Sequence, residues 1–189
     1  MSKTQIRVGG LGGQGVILCG MIIGKAASIY EGKHATLIQA FGPEARGSAC
    51  SAQVTISDEV IGYPYVKNPD LLVLMSLDAA TQFVPQLKPG GLVLYESELI
   101  PKLPLLPAGA RALGIPATRF AEELGRRLVL NIVMVGFVAG VTGLLSSEAV
   151  EKAVLSSVPK GTEDLNLRAL RKGYDHGRQI PNQVSEVTE

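Results

Sequence analysis

The stretch TQIRVGGLGGQGV, Thr4 to Val16, decides how the rest of the chain is read. TQIRV alternates apolar with polar residues and stops at glycines, the pattern of a short strand. Gly10-x-Gly12-x-x-Gly15 follows. From Gln14 to about Gly32, QGVILCGMIIGKAASIYEG then has helical length, no proline and apolar residues nearly all round, so the helix is expected to be buried on most sides. Strand, glycine turn and helix in that order are the context of the dinucleotide-binding fingerprint. At such a helix start, backbone N–H groups unshielded by Cβ atoms can approach an oxygen-rich anion, and the helix dipole favours its charge. Gly10, Gly12, Gly13, Gln14 and Gly15 are the candidate phosphate-side residues.

That fingerprint also requires an Asp or Glu about 20 residues further on, at the end of the second strand, to hold a ribose hydroxyl. HATLIQA, His34 to Ala40, reads as that strand and completes a β-α-β unit after a helix stop at Gly32, but it ends in Gln39, Ala40 and Phe41. Simple NAD binding is disfavoured. An anion site and mere close packing of helix on sheet both stay open. A Walker reading of GMIIGKA, Gly20 to Ala26, fails because its glycines are one residue too close, no Ser or Thr follows Lys25, and the segment lies inside the helix. Gly20 and Gly24 read as close-packing positions.

Further along, SACSAQVTI and VIGYP are separated by SDE and read as an antiparallel hairpin. DLLVLM (Asp70 to Met75) and LVLYE (Leu92 to Glu96) are continuous apolar runs of the buried, parallel type. A helix near Leu77 to Leu87 lies between them, and ARALGIP to RFAEELG repeats the strand-helix rhythm. The last third is helical. Ser146 and Thr162 stand at helix starts, and TEDLNLRALRKGYDHGRQ is amphipathic. Together these runs predict an α/β fold: a three-layer, mostly parallel Rossmann-like sheet with an antiparallel hairpin insertion and a helical C-terminal third. Residues 1–189 read as one domain, with 180–189 as a frayed tail.

Composition narrows the function classes. A formal net charge of +1 and 46% hydrophobic residues describe a packed globular chain without the basic stripe of a nucleic-acid binder. Cys19 and Cys50 form no C-x-x-C or Cys/His cluster, so any redox centre is expected on another chain. The N-terminus lacks a secretory pattern, which points to the cytoplasm. LVLNIVMVGFVAGVTGLL, Leu128 to Leu145, has the length of a membrane span, yet Asn131, Thr142 and three glycines weaken it. It reads as a buried helix in which Gly136 and Gly140 let another backbone come close. If Ile132 to Val141 pack on sister chains, the isolated chain should expose an apolar patch.

Gly42-Pro43-Glu44-Ala45-Arg46-Gly47 reads as a tight loop or one helical turn at the end of the second strand. In a doubly wound sheet it should share an edge with the glycine turn. Arg46 is then available to an anion or a partner's carboxylate, or is paired with Glu44; both readings stay open.

GGLGGQGVILCGMIIGKAA, FGPEARGSACSAQVTISDE, NPDLLVLMS and NIVMVGFVAG, in this order and over most of the chain, resemble the gamma subunit of 2-oxoacid:ferredoxin oxidoreductases, with GPEARG closest to the 2-oxoglutarate branch. The resemblance implies an assembly that uses thiamine diphosphate, Mg2+, iron–sulfur clusters and coenzyme A to convert a 2-oxoacid to an acyl-CoA, CO2 and reduced ferredoxin. It implies alpha, beta and ferredoxin-like delta subunits and ferredoxin as partners, and no nucleic acid or membrane. None of the cofactors is held by this chain alone, and none of its residues is catalytic. A coenzyme A phosphate role falls to the glycine turn with Arg46, and subunit contacts to Pro43, Glu44, Asn131, Gly136 and Gly140. Where the family commonly has RGG, this chain has Ser48 for the second glycine. Two alternatives remain: a stand-alone nucleotide-binding protein and a purely structural subunit.

Overall fold

The computed structural model describes residues 3–42 and 49–180. Six strands form one sheet in the order β2-β3-β1-β4-β5-β6. They are β1 (Thr4–Leu11), β2 (His34–Phe41), β3 (Ala49–Ser57), β4 (Leu71–Leu74), β5 (Leu92–Glu96) and β6 (Arg111–Ile115). β1, β4, β5 and β6 pair in parallel, whereas β3 runs antiparallel between β1 and β2. The fold is therefore α/β and mostly parallel, as expected.

The insertion is built differently from the sequence expectation. β3 was expected to pair with Val60 to Pro64, but it pairs along its whole length with β2 on one side and β1 on the other. Both of its hydrogen-bonding edges are occupied, and Val60 to Pro64 form no strand. That segment leads instead into a loop tied to the sheet, where the Val66 N–H donates to Gln53 Oε1 at 2.7 Å. Arg7 donates to the Val66 carbonyl and to Gln86 Oε1, and its guanidinium lies 4.8 Å from the Phe83 ring centre. β2 points the same way as β1 but is one strand removed from it.

Helices cover both faces. α1 (Val16–Lys25), α3 (Ala117–Glu123), α4 (Leu130–Thr142), α5 (Ser147–Leu155) and α6 (Glu163–Gln179) share a core with Ile6, Val8, Val54, Val73 and Leu94. α2 (Leu77–Phe83) packs Ala79, Ala80 and Phe83 against Leu72, Leu74 and Val93 on the opposite face. α1 ends in a π-helical turn, Ala26–Tyr30, and the chain leaves at Gly32 with φ +67°. Gly20 does pack closely, since a Cβ there would lie 2.7 Å from that of Ala52; at Gly24 the corresponding contact is an ordinary 3.8 Å. Ser146 caps α5 by accepting the Ala149 N–H. Thr162 begins α6 but does not cap it with its hydroxyl, which donates to the Pro159 carbonyl at 2.7 Å.

α4 is the centre of the helical layer. Leu130 to Gly140 are all buried, and among the described residues no helix is long and apolar enough to cross a membrane. α6 lies against it with backbones nearly touching. A Cβ on Gly136 would sit 2.1 Å from the Leu170 carbonyl oxygen, on Gly140 2.3 Å from that of Tyr174, and on Gly173 2.0 Å from that of Val133. The backbone that approaches Gly136 and Gly140 thus belongs to the chain itself. This corrects the expectation of subunit contacts at these two glycines and of an apolar patch over Ile132 to Val141, because α6 and the sheet already cover them.

Candidate functional site at the sheet switch point

β1 and β4 are parallel neighbours, but the helices that follow them diverge: α1 to one face and α2 to the other. Divergence of this kind opens a crevice beyond the carboxyl ends of the strands, where doubly wound folds bind ligands. The glycine turn lies there. Gly9 and Gly10 belong to β1, so the turn itself is Gly12 to Gly15.

The sequence candidates divide by role. Gly13 is the exposed apex, with φ +98° and nothing within 4 Å of where a Cβ would stand. Gly10 offers no open space, because the volume of its missing side chain holds Gln14 Oε1 at 2.7 Å and Val16 Cγ2 at 2.8 Å. Gln14 Oε1 accepts the Leu11 N–H at 2.7 Å, and Gln14 Nε2 donates to the Met75 carbonyl at 2.8 Å. Gly15 is the residue before α1, in the left-handed region at φ 73° and ψ 27°. A Cβ there would meet Asn131 Nδ2 at 2.3 Å, and that nitrogen donates to the Gly15 carbonyl at 3.3 Å. Asn131, expected in subunit contacts, is 3% exposed and turned inward onto the turn. Arg46, Pro43 and Glu44 lie outside the described residues. The chain on either side of them, Gly42 and Ala49, stands at the same sheet edge, with Ala49 in register with Leu11.

The chemistry available is electrostatic. The first intrahelical bond of α1 runs from the Cys19 N–H to the Gly15 carbonyl at 2.9 Å, so the N–H groups of Val16, Ile17 and Leu18 precede the helix ladder. Gly15 has no side chain to cap them and the first turn holds no acid. A dinucleotide's ribose is poorly served. With β3 between β1 and β2, the end of β2 is two strand spacings, about 10 Å, from β1.

Other reactive groups are quiet. Burial pushes the Cys19 thiol up to about 12 and raises that of Cys50, so neither is a nucleophile at neutral pH. His176 packs between Phe120 and Phe137, with ring centres 5.4 and 5.8 Å away. Among the described residues no three His, Cys, Asp or Glu side chains gather to hold a metal ion, and two buried thiols do not fit an iron–sulfur cluster. The sequence reading passed over Glu96, a fully buried carboxylate that accepts the Thr118 N–H at 3.2 Å and the Leu99 N–H, fastening the start of α3. Its only sequence signal was an acid closing an apolar strand.

Residues 5–176 match the family described as pyruvate ferredoxin/flavodoxin oxidoreductase. The chain is 44% identical over 179 residues to the 2-oxoglutarate synthase subunit KorC of Methanocaldococcus jannaschii, covering 94% of this chain and 96% of that one. It superposes on the gamma subunit of a keto/oxoacid ferredoxin oxidoreductase from Geobacter sulfurreducens with a TM-score of 0.81 and 40% identity, over 93% of this chain and 98% of that one. It also shares its fold, at TM-score 0.86 and 22% identity, with 32% of a longer chain, the 2-oxoglutarate:ferredoxin oxidoreductase of Magnetococcus marinus.

Proposed function

Because this chain belongs to the pyruvate ferredoxin/flavodoxin oxidoreductase family, we propose that it serves its assembly by holding phosphate groups of coenzyme A at the amino end of α1. The chain is a gamma-type subunit of a 2-oxoacid:ferredoxin oxidoreductase, one chain of a multi-subunit enzyme. Its oxoacid is 2-oxoglutarate, in keeping with the KorC relative. The reaction joins the oxoacid and coenzyme A into an acyl-CoA, releases CO2 and passes two electrons to ferredoxin.

One observation carries the phosphate assignment: three backbone N–H groups precede the α1 ladder beyond the carboxyl end of β1, and the first turn of α1 holds no acid. A helix start favours a nearby negative charge by about 0.3–1 kcal/mol when exposed, and by up to ~2 kcal/mol when partly buried. Gly12 and Gly13 supply the adjoining unshielded backbone, and Arg46, which falls between β2 and β3 in the sequence, is the cation for the remaining charge. Thiamine diphosphate, Mg2+ and iron–sulfur clusters are assigned to the alpha, beta and delta-type subunits, and the assembly works in the cytoplasm. Pro43 and Glu44 are assigned to subunit contacts.

The test compares Gly13→Asp with Gly13→Asn in the assembled enzyme. The two substitutions have the same shape and a similar backbone cost at positive φ, and differ by one charge. Asp should raise the coenzyme A KM about tenfold over Asn, with the oxoacid KM unchanged. Equal coenzyme A KM values overturn the assignment.

A further inference from the structure

We infer that Gln14 and Asn131 are positioning residues for this phosphate site: they aim the amino end of α1 without touching the anion. The inference rests on the reading of the α1 start as that site. Gln14 sits in the turn yet faces the sheet. Its oxygen takes the last N–H of β1, at Leu11, its nitrogen reaches the Met75 carbonyl just after β4, and its own N–H donates to the Leu11 carbonyl at 3.1 Å. One side chain thereby links the ends of the two strands that flank the crevice. Met75 is held in the same network, because its N–H donates to the Gly9 carbonyl at 2.9 Å. Gly10 belongs to the same device, since only a residue without a side chain leaves room for the Gln14 oxygen.

Asn131 acts from the other side. It sits near the start of α4, buried, with its amide nitrogen in the volume above Gly15. The Gly15 carbonyl receives two donors, Cys19 N–H from within α1 and Asn131 Nδ2 from α4. The start of α1 is thus pinned to the sheet by Gln14 and to the helical layer by Asn131. α4 is in turn immobilised by the backbone contacts to α6. N–H groups bind an anion well only when they converge on one point, so loosening either pin should weaken coenzyme A binding more than it weakens the fold.

The experiment uses the assembled enzyme with Gln14→Ala, Gln14→Glu and Asn131→Leu. Gln14→Glu keeps an acceptor for Leu11 but sets a carboxylate against the Met75 carbonyl, and it serves if Gln14→Ala assembles poorly. Expected for the Gln14 variants is a coenzyme A KM raised about tenfold with kcat and the oxoacid KM within about twofold, the size of one or two lost hydrogen bonds. A smaller rise is expected for Asn131→Leu. Without coenzyme A present, the Leu11 amide of the Gln14→Ala enzyme should exchange hydrogen at least about tenfold faster, which removal of a mere phosphate ligand would not cause. An unchanged Leu11 exchange rate overturns the inference. So does an unchanged coenzyme A KM in these variants while Gly13→Asp still raises it, and in that case the phosphate assignment stands. If Gly13→Asp has no effect either, both fall together.

Discussion

Glycine does opposite work at the start of α1 and along α4. Before α1, Gly13 and Gly15 shape a turn whose apex faces open space. Along α4, Gly136 and Gly140 meet Gly173 and Gly177 of α6, and a Cβ on any of the four would come within 3 Å of the opposite backbone. The first arrangement leaves backbone unshielded by any neighbouring side chain at Gly13; the second hides backbone so that two helices can approach. Spacing in the sequence does not separate the two uses, because both are short glycine repeats beside apolar helices. The contrast lies in what occupies the missing Cβ volume: nothing at Gly13, a backbone carbonyl at Gly136.

The contrast can be broken most directly at the helix pair. Gly136→Ala or Gly173→Ala should destabilise the chain by about 3 kcal/mol, since a rigid backbone must yield and the intrinsic helix gain of about 1 kcal/mol offsets only part of the strain. For a chain of this size the thermal midpoint should fall by roughly 10 °C. A fall of a degree or two would mean that α4 and α6 are less closely joined than described. Gly15→Ala should follow, at about 2 kcal/mol, from positive φ combined with displacement of Asn131, and it should also raise the coenzyme A KM. Gly13→Asn, where no neighbour is displaced, should cost no more than about 1 kcal/mol by the same thermal measurement. If Gly13→Asn proved as costly as Gly15→Ala, the open apex would be refuted.

The smallest effect lies away from both regions, where Glu31 ties the end of α1 to the start of α5. Burial opposes ionisation of its carboxyl, but the Ser146 N–H and the Lys33 ammonium outweigh that and hold it below the usual carboxylate range. A depressed carboxylate stabilises the fold at pH values above its unfolded pKa, about 4.3, and the contribution is lost as pH falls through the folded value. Denaturant titrations at pH 7 and pH 3 should therefore differ less for Glu31→Gln than for the parent, by no more than about 1 kcal/mol given solvent access to the pair. An identical pH dependence in the two proteins would show that Glu31 is not held in its charged form.

Much of the architecture was readable because local pattern carries it. The apolar alternation of TQIRV, the continuous run DLLVLM and the turn at Gly12 to Gly15 mark β1, β4 and the start of α1 through contacts only a few residues long. The amphipathic run from Thr162 likewise marked α6. Strand partners were harder to read. SACSAQVTI is equally suited to pair with the segment after it or with β1 and β2, and only the closing of the sheet chose the latter. Asn131 was unreadable as a partner of Gly15, since the two are 116 residues apart and their meeting depends on α4 crossing the start of α1.

The sequence by itself determined that a glycine turn starts a buried helix, that no metal-binding cysteine pattern is present, and that a second glycine pair lies in an apolar helix. Each is a property of neighbouring residues. Tertiary structure decided the rest: α1 and α2 leave by opposite faces of the sheet, Gln14 and Asn131 converge on the turn, and α6 rather than another chain fills the gap at Gly136 and Gly140. Those outcomes depend on which distant surfaces bury one another, a choice made by the packing of the whole sheet and its helices rather than by any short stretch of chain.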